Sequence, residues 1–65
     1  MINVTRLNGM EYYINPHHIE AIELRPDTTL LMLSGKYTVV LEKVEEIVDR
    51  IVEYRRRIGG FKNEE

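Results

Sequence analysis

The sequence predicts an α+β domain: a five-stranded antiparallel meander sheet followed by one C-terminal amphipathic helix. Three observations carry that reading. Strand-like runs flank the turn dipeptides Asn8-Gly9 and Ser34-Gly35, prolines punctuate the chain at Asn15-Pro16 and Pro26-Asp27, and the apolar period turns helical after Lys43.

Met1 to Leu7 is rich in strand formers, and Asn-Gly is a strong signal for a two-residue type I′ hairpin loop, which needs positive φ at both positions. A loop of Asn8 and Gly9 pairs Arg6 with Glu11 and Val4 with Tyr13. It places Leu7, Met10, Tyr12 and Ile14 on the expected core side, with Ile2, Val4 and Tyr13 opposite. Asn15-Pro16 ends the second strand because proline has no N–H to give a ladder. His17 and His18 form a short connector, and Ile19 to Arg25 is the third strand.

The turn at Pro26-Asp27 leaves the register open. A three-residue loop, Pro26 to Thr28, puts Ile22 and Leu24 with Leu30 and Met32; a two- or four-residue loop puts them with Leu31 and Leu33. The first is preferred because it gathers one apolar face. The hairpin from Thr28 to Leu41, closed by Ser34 and Gly35, puts Thr28, Leu30, Met32, Tyr37, Val39 and Leu41 on one side. Leu31, Leu33 and Val40 then share the opposite side with Thr29, Lys36 and Thr38. A single helix covers only one face, so Leu31, Leu33 and Val40 are the expected self-association interface of a homo-oligomer.

From Lys43 to Ile58 the stripe Val44, Ile47, Val48, Ile51, Val52, Arg55 and Ile58 follows helical spacing. Acidic residues crowd the first turns and arginines the last, which complements the helix dipole. Lys43, at the position before the helix, lacks the side-chain acceptor of a good N-cap. Gly59-Gly60 is a helix stop. Residues 1–60 thus read as one domain and 61–65 as a flexible C-terminal tail.

Composition narrows the function classes. Sixty-five residues bury a marginal core, and without cysteine there is no disulfide to supplement it, so association with another copy is the expected support. The absence of cysteine fits a reducing cytoplasm. A net charge of -2 argues against bulk attraction to nucleic acid or anionic membrane, and no apolar run is long enough for a transmembrane helix. His17-His18 has no further histidine or cysteine to complete a metal site. Glu11, Glu20 and Glu23 lack an accompanying nucleophile or phosphate loop, so catalysis is not expected, and neither is a metal or cofactor. Arg55, Arg56 and Arg57 form the basic cluster and are the candidate partner contact, set against a plain role in dipole compensation and pairing with Glu53. Tyr12, Tyr13 and Tyr37 are read as packing residues rather than base-stacking ones.

The strings Thr5 to Gly9 (TRLNG), Ile14 to Glu23 (INPHHIEAIE), Pro26 to Thr28 (PDT) and Val44 to Arg57 (VEEIVDRIVEYRRR), with a strand ending at Gly35, occur in an order that resembles the FlbD/SwrD family of small flagellar proteins. The likeness runs nearly to Ile58, with His17 and Lys43 standing where the family often has an acidic residue and a serine. It implies a cytoplasmic protein of flagellated bacteria, tied to swarming and motor power, with no enzymatic activity. Its expected partners are flagellar motor or associated flagellar proteins. The alternative is a small nucleic-acid-binding regulator using Arg55 to Arg57.

Overall fold

The computed structural model describes residues 1–58, so the Gly59-Gly60 stop and the 61–65 tail lie outside the described residues. Five strands, β1 (Ile2–Thr5), β2 (Glu11–Ile14), β3 (Ile19–Arg25), β4 (Asp27–Met32) and β5 (Tyr37–Val40), precede one helix, α1 (Val44–Arg57). The α+β class and the element order are those expected. The single meander is not. The strands form a two-stranded sheet, β1-β2, and a three-stranded sheet, β3-β4-β5.

The break falls between β2 and β3. Asn15 Oδ1 accepts the His17 N–H at 2.9 Å, and the Asn15 carbonyl accepts the His18 N–H at 2.9 Å. This turns Pro16–His18 into a single 3₁₀ turn. A flat hairpin loop would have laid β3 beside β2; the 3₁₀ turn redirects the chain into a separate sheet. The two sheets touch instead through β1 and β5, by one antiparallel bridge between Arg6 and Val40 and by the Leu41 N–H donating to the Thr5 carbonyl at 2.8 Å.

Both glycine hairpins carry one more loop residue than the two-residue reading supplies. In the first, Arg6 N–H donates to Met10 O at 2.8 Å and Gly9 N–H to Arg6 O at 2.9 Å. In the second, Met32 N–H donates to Lys36 O at 2.8 Å and Gly35 N–H to Met32 O at 2.8 Å. Among the described residues only Gly9 (φ 86°) and Gly35 (φ 92°) have positive φ. A type I′ loop would have needed Asn8 there as well. The observed loops, Leu7-Asn8-Gly9 and Leu33-Ser34-Gly35, are the three-residue kind with glycine in the left-handed position. Asn8 Oδ1 supports the first by accepting the Met10 N–H at 2.9 Å, and Ser34 Oγ sits 3.4 Å from the Lys36 N–H in the second.

That one-residue difference exchanges faces. In the first hairpin Val4 pairs with Tyr12 and Ile2 with Ile14, so Ile2, Val4 and Ile14 face the core while Leu7, Met10 and Tyr13 are exposed. In the second, Leu30 pairs with Thr38 and Thr28 with Val40. Val40 therefore turns inward and is 1% exposed. Tyr37 and Val39 move to the outer side with Leu31 and Thr29.

The turn at Pro26 keeps the expected face parity but is tighter than a three-residue loop from Pro26 to Thr28, since Arg25 pairs with Asp27 and Ile22 with Leu30. Leu24 shares the inner side yet lies past the end of the core and stays exposed.

Ile2, Val4, Ile14, Leu30, Val40 and Ile47 are the buried centre, with Tyr12, Ile22, Met32, Ile51 and Tyr54 packed against it. The helix lies against β1 and β3. Its inward line is Ile47, Ile51 and Tyr54; Val48, Val52 and Ile58 of the expected stripe are exposed. Glu46, reaching back, accepts the Lys43 N–H at 2.8 Å, so the N-terminal turn is capped by its third residue and not by the lysine side chain.

Candidate functional site

Three regions stand out, and the first is a structural brace. In the β1-β2 ladder, Asn3 and Thr5 direct backbone groups away from β2. Glu42, only 8% exposed, receives the N–H of Thr5. Its Oε1 accepts the Thr5 N–H at 2.9 Å, and its Oε2 accepts the Thr5 hydroxyl at 2.8 Å and Arg50 Nη1 at 3.0 Å. The same Arg50 nitrogen donates to the Asn3 carbonyl at 2.8 Å. Burial pushes the Glu42 carboxyl up, but the Thr5 donors and Arg50 outweigh it and hold the group below the ordinary glutamate range. The carboxylate is fully engaged in structure. Glu42 escaped sequence reasoning because a glutamate between Leu41 and Lys43 looks solvent-facing until Leu41 is known to pair with Thr5.

The second region is the outer side of the three-stranded sheet. Register places Ala21, Leu31 and Tyr37 in one row and Glu23, Thr29 and Val39 in the next. Arg25 pairs with Glu23 on β3 and also lies over the Tyr37 ring on β5, 4.9 Å from its centroid. It thereby bridges the central strand, and Thr29 beneath is buried. The expected interface residues Leu31, Leu33 and Val40 do not share a face here: Leu31 is half-buried in this sheet, Leu33 is 61% exposed at the hairpin tip, and Val40 is in the core.

The third is a groove between the two hairpins. Tyr12, Ile14 and Met32 contribute apolar surface, and Arg6, His18 and Lys36 supply its polar lining, with no acidic side chain among its walls. A shallower hollow beside it is lined by Arg6, Leu7, Asn8, Tyr37 and Val39. The Arg6 guanidinium lies 5.2 Å from the centroid of the Tyr12 ring.

On α1, Arg55 is half-buried while Arg56 and Arg57 are exposed, and Arg57 Nε lies 3.4 Å from Glu53 Oε2. Successive helical residues point about 100° apart, so the three arginines do not form one flat patch. His17 is edge-on to Tyr54, ring centroids 5.8 Å apart. No group of histidine, cysteine and carboxylate side chains suited to holding a metal ion occurs among the described residues, and none of their helices is long and apolar enough to cross a membrane.

A family model described as FlbD, flagellar and swarming motility proteins, matches residues 1–59. The chain belongs to that family. The match takes in every strand, the Glu42 brace and all of α1, so the FlbD sequence pattern and the folded unit coincide. No curated protein and no solved structure matches this FlbD chain.

Proposed function

We propose that this protein is a non-enzymatic flagellar accessory factor of the bacterial cytoplasm that supports swarming and raises the power of the flagellar motor by contacting other proteins. The family match over residues 1–59 carries the reading. The character of the surface favours binding: Leu7, Leu24, Leu33 and Leu41 are each more than half exposed, on a small domain with few fully buried side chains.

Self-association belongs to the same proposal. Val40 takes no part in it, being in the core; Leu33 with the half-buried Leu31, and the separate exposed pair Leu24 and Leu41 near the start of α1, are the candidate surfaces. Protein partners are preferred over nucleic acid because two tyrosine rings near the groove, Tyr12 and Tyr37, are already faced by arginines and do not offer bare platforms for bases.

Deleting the gene in the source bacterium and scoring spread on swarm agar tests the reading. A swarming defect restored by the wild-type chain is expected. Unchanged swarming and swimming would overturn it.

A further inference from the structure

The geometry points to the groove between the two hairpins as a docking site for an extended acidic segment of a partner protein, laid against the Lys36–Tyr37 end of β5. This rests on the reading that the chain works by binding proteins, and it specifies the chemistry of the segment bound.

The first ground is backbone. In the β4-β5 ladder the Met32–Lys36 pair is hydrogen-bonded, so Leu30–Thr38 and Thr28–Val40 are the bonded pairs that follow and Leu31–Tyr37 and Thr29–Val39 are not. Tyr37 and Val39 therefore direct their N–H and C=O groups to the side away from β4. The far end of that side is occupied: the Leu41 N–H meets Thr5, and the antiparallel Arg6–Val40 bridge sets Leu7 opposite Val39. The part of the edge left open is the Lys36–Tyr37 end, where the outward N–H and C=O of Tyr37 can meet the backbone of an incoming segment.

Charge provides the second ground. In a chain of net charge -2, the groove and the hollow beside it are lined by Arg6, Lys36 and His18 and by no carboxylate. Among the described residues neither Arg6 nor Lys36 is in a salt bridge. The other open edges differ: β3 carries Glu20 and Glu23 and a register shift between Ile19 and Ala21, and β2 carries Glu11. An acidic strand is thus favoured at β5 and repelled at β2 and β3. Tyr12, Ile14 and Met32 offer apolar contact to alternate side chains of the incoming strand.

The test uses the full chain, labelled with ¹⁵N, titrated with an octapeptide alternating glutamate and valine. Matched arms use a lysine–valine octapeptide and a single-stranded oligonucleotide. Shift changes centred on Arg6, Lys36 and Tyr37, seen with the glutamate peptide and not with the lysine peptide, are expected. Lys36→Glu, and separately Arg6→Glu, should weaken that binding about tenfold while thermal unfolding shows the variants folded. Among the described residues the Lys36 side chain makes no hydrogen bond or ion pair, so its variant is informative even if Arg6→Glu loosens the Tyr12 contact. No binding, equal binding of the lysine peptide, preferential binding of the oligonucleotide, or shifts centred on Arg55 to Arg57 would each overturn the inference. Because this readout is independent of motility, peptide binding in a protein whose deletion leaves swarming intact would sink the flagellar reading alone.

Discussion

Glu42 and Arg50 meet at 3.0 Å between Oε2 and Nη1, and through them the link from β5 to α1 is tied to the open edge of β1. The pair is asymmetric: Glu42 is nearly buried while Arg50 keeps a solvent-facing side. The carboxylate is satisfied by three donors, and removing it leaves the Thr5 N–H and hydroxyl and the Arg50 guanidinium without their acceptor.

Glu42→Ala is therefore expected to destabilise the fold by about 2 kcal/mol, within the usual range for charged hydrogen bonds. Arg50→Ala should do less, since Thr5 still serves the carboxylate. Urea unfolding followed by circular dichroism compares the two; equal effects would mean that Arg50, not Thr5, dominates the brace.

The same group sets an acid dependence. Its folded-state pKa is depressed, so the stability it contributes is fully present above its unfolded value, 4.5, and is lost as pH falls through the lower folded value. The stability difference between wild type and Glu42→Gln should be constant near neutrality and shrink below that pH. A difference that grows on acidification would contradict the assignment.

Much of this architecture is legible in the sequence, and the failure with the widest effect has a single cause. Glycines 9 and 35 marked both hairpins, and the helix begins and ends where period and charge predict, at Val44 and beside the arginines. What the dipeptides Asn8-Gly9 and Ser34-Gly35 do not reveal is loop length, because two- and three-residue loops both accept glycine at the last position. Side chains alternate, so that single residue moved Ile2, Val4 and Val40 from the outside to the core and dissolved the expected Leu31–Leu33–Val40 interface. In the helix, Val48 and Val52 fit the period as well as Ile47 and Ile51, but only one side meets the sheets, and Tyr54 completes it. The groove was invisible because its walls come from two hairpins whose relative placement depends on the 3₁₀ turn at Pro16.

The turn geometry is itself testable. Gly35→Ala should destabilise by about 1 kcal/mol through the left-handed φ alone, since an added Cβ has nothing within 4 Å. Gly35→Asn should cost less, because asparagine tolerates that region better. Thermal melts in which alanine and asparagine behave alike would count against the three-residue loop.

Core and surface leucines should separate cleanly. Leu30→Ala, at a position with no exposure, is expected to lose roughly 2–5 kcal/mol. Leu33→Lys should change stability by less than about 0.5 kcal/mol. Sedimentation at micromolar concentration then asks whether Leu33→Lys or Leu24→Lys shifts the protein toward its 7.7 kDa monomer. A wild type already monomeric there would remove self-association from the proposal.

The most direct measurement of the central claim is motor torque, read from beads on single flagellar stubs in cells lacking the gene and in cells complemented with the wild-type chain. A fall in torque on deletion, recovered on complementation, is the predicted result. Torque unchanged by deletion would contradict a role in motor power.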